Sequence, residues 1–132
     1  MKPIKWYVYT VAIGLLPMLM RFVAYSVTTV GIQPLSVGDV ICFGLVLHVS
    51  MISQAEDVEG VNPLWHTVNH GVSVTAVAIY SVLYAISVIG EKVNAIDQKL
   101  MLYGSLILAA TSLIIGSVVL HALNSNSIRR MQ

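Results

Sequence analysis

The sequence predicts an all-α fold, a polytopic integral membrane four-helix bundle, and three observations predict it. Of the 132 residues, 57% are hydrophobic and only 10% are charged, whereas soluble domains carry about 25% charged residues. Mean hydropathy is +0.83, too apolar for a surface held in water. Apolar runs of about 20 residues, the length that crosses a bilayer, recur along the chain, and none shows the alternation of a half-buried strand. No stretch of different composition separates them, so residues 1–132 read as a single membrane domain.

The first span reads as Trp6 to Thr28. Its basic start, MKPIKW, has the look of a signal peptide. The apolar run is longer than a signal core, however, and no clear small-residue cleavage site follows, so an uncleaved helix is expected. The stretch Thr29 to Leu35 (TVGIQPL) carries a glycine and a proline and makes a short turn. The second span runs from Ser36 to Ala55. Glu56 to Thr67 is the longest and most polar connection, leading to the third span, Val68 to Gly90. Glu91 to Lys99 (EKVNAIDQK) carries both signs of charge and precedes the fourth span, Leu100 to Leu123.

Lysine and arginine in short loops orient such a bundle. Lys2, Lys5, Arg129 and Arg130 fall on one side, against Lys92 and Lys99 on the other. Both termini are therefore expected in the cytoplasm. Net charge is +1 and no basic run exists, so direct nucleic-acid binding is not expected. The one cysteine, Cys42, cannot form an internal disulfide. No nucleophile–base set, phosphate-binding glycine loop or paired carboxylates appear. Neither an enzyme nor a cofactor is expected.

Polar residues inside the spans carry the remaining information. On the first span Thr10, Gly14, Pro17, Arg21, Tyr25 and Thr28 recur at helical spacing and share a face. Pro17 marks a bend one turn before Arg21. Intramembrane charges normally face the bundle interior or snorkel, and Arg21 lies roughly 10 Å from the outer end of its helix. The second span opens VGDVICFG, which sets Asp39 roughly 5 Å below the same turn. Arg21 and Asp39 are expected to pair across the hairpin and to lessen each other's burial cost. Two other readings stay open: Arg21 snorkels while Asp39 caps its helix near Ser36, or the charge serves transport. His48 lies on nearly the opposite face from Asp39 and reads as a hydrogen-bonded structural histidine. A proton relay would need further acids that the span lacks.

The fourth span aligns Ser105, Ala109, Ser112 and Gly116 in one stripe. Small residues at this spacing let helices approach closely in lipid. Ser73, Ala76, Tyr80, Tyr84 and Ser87 give the third span a weakly polar face. Such stripes pack either within one chain or between chains, and a unit this small is expected to form a homo-oligomer surrounded by membrane lipid.

The connection QAEDVEGVNPLWHTVNHG holds three acids and two histidines. His66 and His70 stand four apart, as zinc sites on helices require. Yet HTVNH lacks the glutamate of a metalloprotease motif, and a third ligand would have to come from Glu56, Asp57 or Glu59. The leading expectation is no metal, but a solvated acidic loop with Trp65 as an interfacial anchor. On the cytoplasmic side, Glu56, Asp57 and Glu59 become docking candidates for a soluble partner. Arg129 and Arg130 are candidates for the same partner or for anionic lipid.

Small multidrug transporters are four-span chains of similar size, but that likeness implies a glutamate in the first helix, which here has Arg21 and no acid. The run SVGDVICFGLVLHVSMI, Ser36 to Ile52, resembles the second span of the membrane subunit of the Kiwa bacterial anti-phage defence system. Asp39, Phe43, Gly44 and Leu45 are the positions the match covers. The resemblance implies a bacterial inner-membrane oligomer that responds to phage attack and works with a cytosolic DNA-binding effector. A non-catalytic membrane sensor and scaffold subunit is the leading expectation. A small channel or transporter subunit is the alternative.

Overall fold

The computed structural model describes residues 3–29, 31–56, 62–93 and 96–129. The first span is a helix in three pieces: α1 (Pro3–Trp6), a π-helical turn (Tyr7–Val11) and α2 (Ala12–Val27). It continues through Pro17, which lies inside α2. Three further helices follow, α3 (Val37–Glu56), α4 (Pro63–Val93) and α5 (Gln98–Arg129). The four stretches Tyr7–Val27, Val37–Gln54, Pro63–Val93 and Gln98–Ala122 are each long and apolar enough to cross a membrane. No strand occurs among the described residues. The chain is an all-α bundle of four membrane-spanning-type helices.

Each of the last three helices starts at a polar cap that satisfies its free N–H groups. The Gly38 N–H donates to Ser36 Oγ at 3.2 Å. Leu64 N–H donates to Asn62 Oδ1 at 3.0 Å, with Pro63 in the first helical position, where its missing N–H is harmless. Lys99 and Leu100 donate to Asp97 Oδ1 at 3.0 and 3.2 Å. The Asn62 cap explains one departure from the sequence reading. The polar stretch up to Thr67, expected as loop, is helical from Pro63 onward.

The helices do not contribute equally to the core. α3 packs against α2, α4 and α5, whereas the backbones of α2 and α4 do not approach each other and those of α4 and α5 do so only briefly. Val40, Ile41 and Leu47 of α3 are fully buried. Most of the first span's apolar residues, among them Leu16, Leu19 and Phe22, stay exposed. In a bilayer those faces meet acyl chains, so their exposure carries no hydrophobic penalty. The exposed hydroxyls of Thr75, Ser81 and Thr111 each donate to the carbonyl four residues earlier at 2.8 Å. A lipid-facing polar group is thereby satisfied within its own helix.

Two close approaches set the packing on α3. A Cβ at Gly14 would stand 2.7 Å from Cδ2 of Phe43, so α2 lies tightly on α3 there. A Cβ at Gly44 would collide with the ring of Tyr80, which seats α4 on the opposite side. Gly38 faces Tyr84 and Gly44 faces Tyr80, so α3 and α4 run antiparallel; Ser36 and Val37 line one pocket with Gln98 and Lys99 while His48 meets Ser112, so α5 runs parallel to α3. The start of the first span, the end of α3, the start of α4 and the end of α5 therefore share one side of the bundle. The end of α2, the start of α3, the end of α4 and the start of α5 share the other.

Candidate functional site

Three sets of polar contacts tie the helices together. At the α2–α3 end, Arg21 Nε donates to Asp39 Oδ2 in an ion pair. Ser36, rather than Asp39, supplies the hydroxyl that caps α3, which leaves the Asp39 carboxylate free to face α2. The Asp39 side chain is 15% exposed and that of Arg21 36%. The pair thus sits at the rim of the bundle, where part of the charge stays solvated by headgroups or water and desolvation is incomplete.

Toward the other end of the same helix pair, Thr10 Oγ1 and Ser50 Oγ share a hydrogen bond of 2.7 Å. Residues 21 with 39 and 10 with 50 are in one antiparallel register. The first span is thus held to α3 by a polar contact near each end and by Phe43 against Gly14 between them. Below the Thr10–Ser50 contact an apolar groove of about 370 Å³ runs between Tyr9, Ile13, Leu45 and Val49.

The third set lies in the centre. Ser112 Oγ stands 2.9 Å from His48 Nε2 and 2.9 Å from Tyr80 OH, so one hydroxyl joins α3, α4 and α5. All three residues are buried, and the His48 and Tyr80 rings are tilted against each other with centroids 5.9 Å apart. A serine beside a histidine invites comparison with a nucleophile and its base. That chemistry requires a third group to orient the imidazole, and His48 Nδ1 has no partner among the described residues. The arrangement is a hydrogen-bonded clasp between helices.

The stripe Ser105, Ala109, Ser112 and Gly116 is buried inside the single chain, facing α3. Ser105 donates back to Met101 O and Leu102 O at 2.9 and 3.0 Å, so only Ser112 of this stripe bonds across helices. On α4, Ser73, Tyr80 and Ser87 are buried while Tyr84 is exposed. The clasp was missed by sequence reasoning, although His48, Tyr80 and Ser112 each stood on a face already singled out. Their joining depends on how α4 and α5 rotate about α3.

The gap left between α2 and α4, which pack on α3 but not on each other, is a cleft of about 230 Å³. Arg21, Asp39, Cys42, Tyr84, Ser87 and Glu91 line it. Among the described residues Glu91 forms no ion pair, and Arg21 is engaged through Nε, with no further hydrogen bond from its terminal nitrogens.

The His66 and His70 rings stack with centroids 6.3 Å apart on the first turns of α4. No group of three metal-type ligands occurs among the described residues. Asp57, Glu59 and Arg130 lie outside the described residues, as do the side chains of Glu56 and Arg129, whose backbones end α3 and α5.

No protein-family model matches the chain, and comparison with curated proteins and with solved structures finds no match either.

Proposed function

We propose that the chain is a non-catalytic membrane sensor and scaffold subunit of a bacterial anti-phage defence complex. It sits in the bacterial inner membrane as a homo-oligomer with both termini in the cytoplasm, and it recruits or regulates a cytosolic effector. The defence context rests on the resemblance of Ser36 to Ile52 to the Kiwa membrane subunit. The scaffold role rests on the reach of two helices.

α4 has 31 residues and α5 has 32, which at 1.5 Å per residue is about 46 and 48 Å. The hydrocarbon core is about 30 Å thick. Charged residues Glu91, Lys92, Asp97 and Lys99 pin one end of this helix pair at an interface. The surplus length therefore emerges at the other end, where the polar segments His66 to His70 and His121 to Ser125 lie. The end of α3 at Glu56 and the end of α5 at Arg129 belong to that same side, and in the sequence Asp57 and Glu59 follow the one and Arg130 the other. Helical projections next to an acidic stretch and a basic tail of the sequence are a natural platform for a soluble partner. The polar residues within the spans support the same reading, because the four contacts Thr10–Ser50, Arg21–Asp39, His48–Ser112 and Tyr80–Ser112 join one helix to another.

Charge reversal of Glu56, Asp57 and Glu59 tests the proposal. A soluble protein that co-purifies with the wild-type chain should be lost from the triple variant while the membrane domain still assembles. Retention of the partner by the triple variant would remove the acidic connection from the docking surface.

The rival reading, a small channel or transporter subunit, is favoured by one observation, the charged cleft between α2 and α4. Solute-specific flux through the purified chain would support it over the scaffold.

A further inference from the structure

We propose that the cleft between α2 and α4 binds the headgroup of a zwitterionic phospholipid, its phosphate on Arg21 and its ammonium on Glu91. The inference does not depend on the defence reading and concerns this chain's own lipid contacts.

Asp39 occupies the Nε edge of Arg21, while the terminal guanidinium nitrogens donate no hydrogen bond among the described residues. Guanidinium nitrogens presented this way match phosphate oxygens. Glu91 lines the same cleft and forms no ion pair among the described residues. The cleft therefore offers one unsatisfied donor group and one unsatisfied carboxylate, which fits a ligand carrying both signs.

Arg21 lies six residues inside the end of α2 at Val27, about 9 Å along the helix, and Glu91 lies two residues inside the end of α4 at Val93, about 3 Å. A phosphatidylethanolamine headgroup places its phosphate on the membrane side and its ammonium on the water side. The order of the protein charges is the order of the ligand charges.

The backbones of α2 and α4 do not approach each other, so the cleft between them can admit a headgroup from the side while the acyl chains remain in lipid. At about 230 Å³ it is smaller than the pockets of about 300–1,000 Å³ that enclose whole drug-sized ligands. That volume suits a headgroup alone. The more deeply placed lining residues, Cys42 and Tyr84, are less polar, in keeping with a glycerol backbone and chain beginnings at that level.

Native mass spectrometry of the purified full chain, equilibrated with defined lipids, tests this. Wild type should retain phosphatidylethanolamine about tenfold more strongly than phosphatidylglycerol, which has the phosphate but no ammonium. Glu91→Gln leaves the Arg21–Asp39 pair intact and should abolish that preference. Arg21→Lys keeps the charge beside Asp39 but loses the planar guanidinium, and it should weaken retention of both lipids. Equal retention of the two lipids by wild type, or an unchanged preference in Glu91→Gln, overturns the proposal. A third arm uses water-soluble glycerophosphoethanolamine. If it binds as tightly as the intact lipid, the ligand is a free phosphoester and the lipid assignment is wrong; if it binds at least about tenfold more weakly, the lipid source stands.

Discussion

The ring of Tyr80 occupies the space that any side chain at residue 44 would need. A Cβ built on Gly44 would run into Cζ, Cε1 and the hydroxyl oxygen of that ring. The phenol reaches past the α3 backbone to Ser112 on α5 at 2.9 Å, so one missing side chain on α3 lets α4 bond to α5. Gly44→Ala should therefore displace Tyr80 and destabilise the bundle by about 1–3 kcal/mol, the usual cost of overpacking. Gly71→Ala, with nothing within 4 Å of its Cβ, should be neutral or slightly stabilising, because alanine is the better helix former. Thermal unfolding of both variants in one detergent checks the contrast.

Ser112 serves two partners and should matter more than either. Ser112→Ala strands both His48 Nε2 and the Tyr80 hydroxyl, whereas Tyr80→Phe removes one bond and leaves the other. Interhelical hydrogen bonds in membrane proteins contribute about 0.6 to 2 kcal/mol each. The alanine variant should lose about twice what the phenylalanine variant loses, measured by unfolding in mixed micelles. Equal losses would mean that His48 gains nothing from Ser112.

The Arg21–Asp39 pair should show coupling in a double-mutant cycle. Arg21→Ala leaves a carboxylate without its cation, and Asp39→Ala leaves a guanidinium without its anion. The double variant leaves neither, so it should be more stable than the sum of the single losses requires, by about 0.5–3 kcal/mol. Additive losses, read as assembled protein in membranes, would mean that the contact contributes nothing to assembly.

His66 and His70 stack on the first turns of α4 without a third metal-type ligand among the described residues. Metal analysis of the purified chain should find no stoichiometric zinc. Zinc at one per chain would require a ligand from the acidic connection Glu56 to Glu59.

Hydropathy made the four spans legible because lipid selects composition along the whole length of a helix. It could not mark where the helices end. Pro63 to Thr67 reads as part of a polar connection, yet the Asn62 cap and proline in the first position carry α4 through it. The Arg21–Asp39 contact could be foreseen because a short turn between two helices fixes their register. The His48–Ser112–Tyr80 clasp could not, because it joins helices 32 and 64 residues apart in sequence. Its formation rests on the rotation of α4 about its own axis, which Gly44 sets. The central position of α3 was likewise hidden, since its composition resembles that of its neighbours and only packing distinguishes it.

Solute flux through the purified chain in liposomes tests the central claim, that the polar residues of the spans hold helices together rather than line a path. Liposomes holding the wild-type chain should stay as tight to protons, monovalent cations and small organic cations as empty ones, and Arg21→Gln and Asp39→Asn should leave this unchanged. Saturable flux of any of these through wild type, lost on substitution of Arg21 or Asp39, would contradict it and make the cleft between α2 and α4 a transport site.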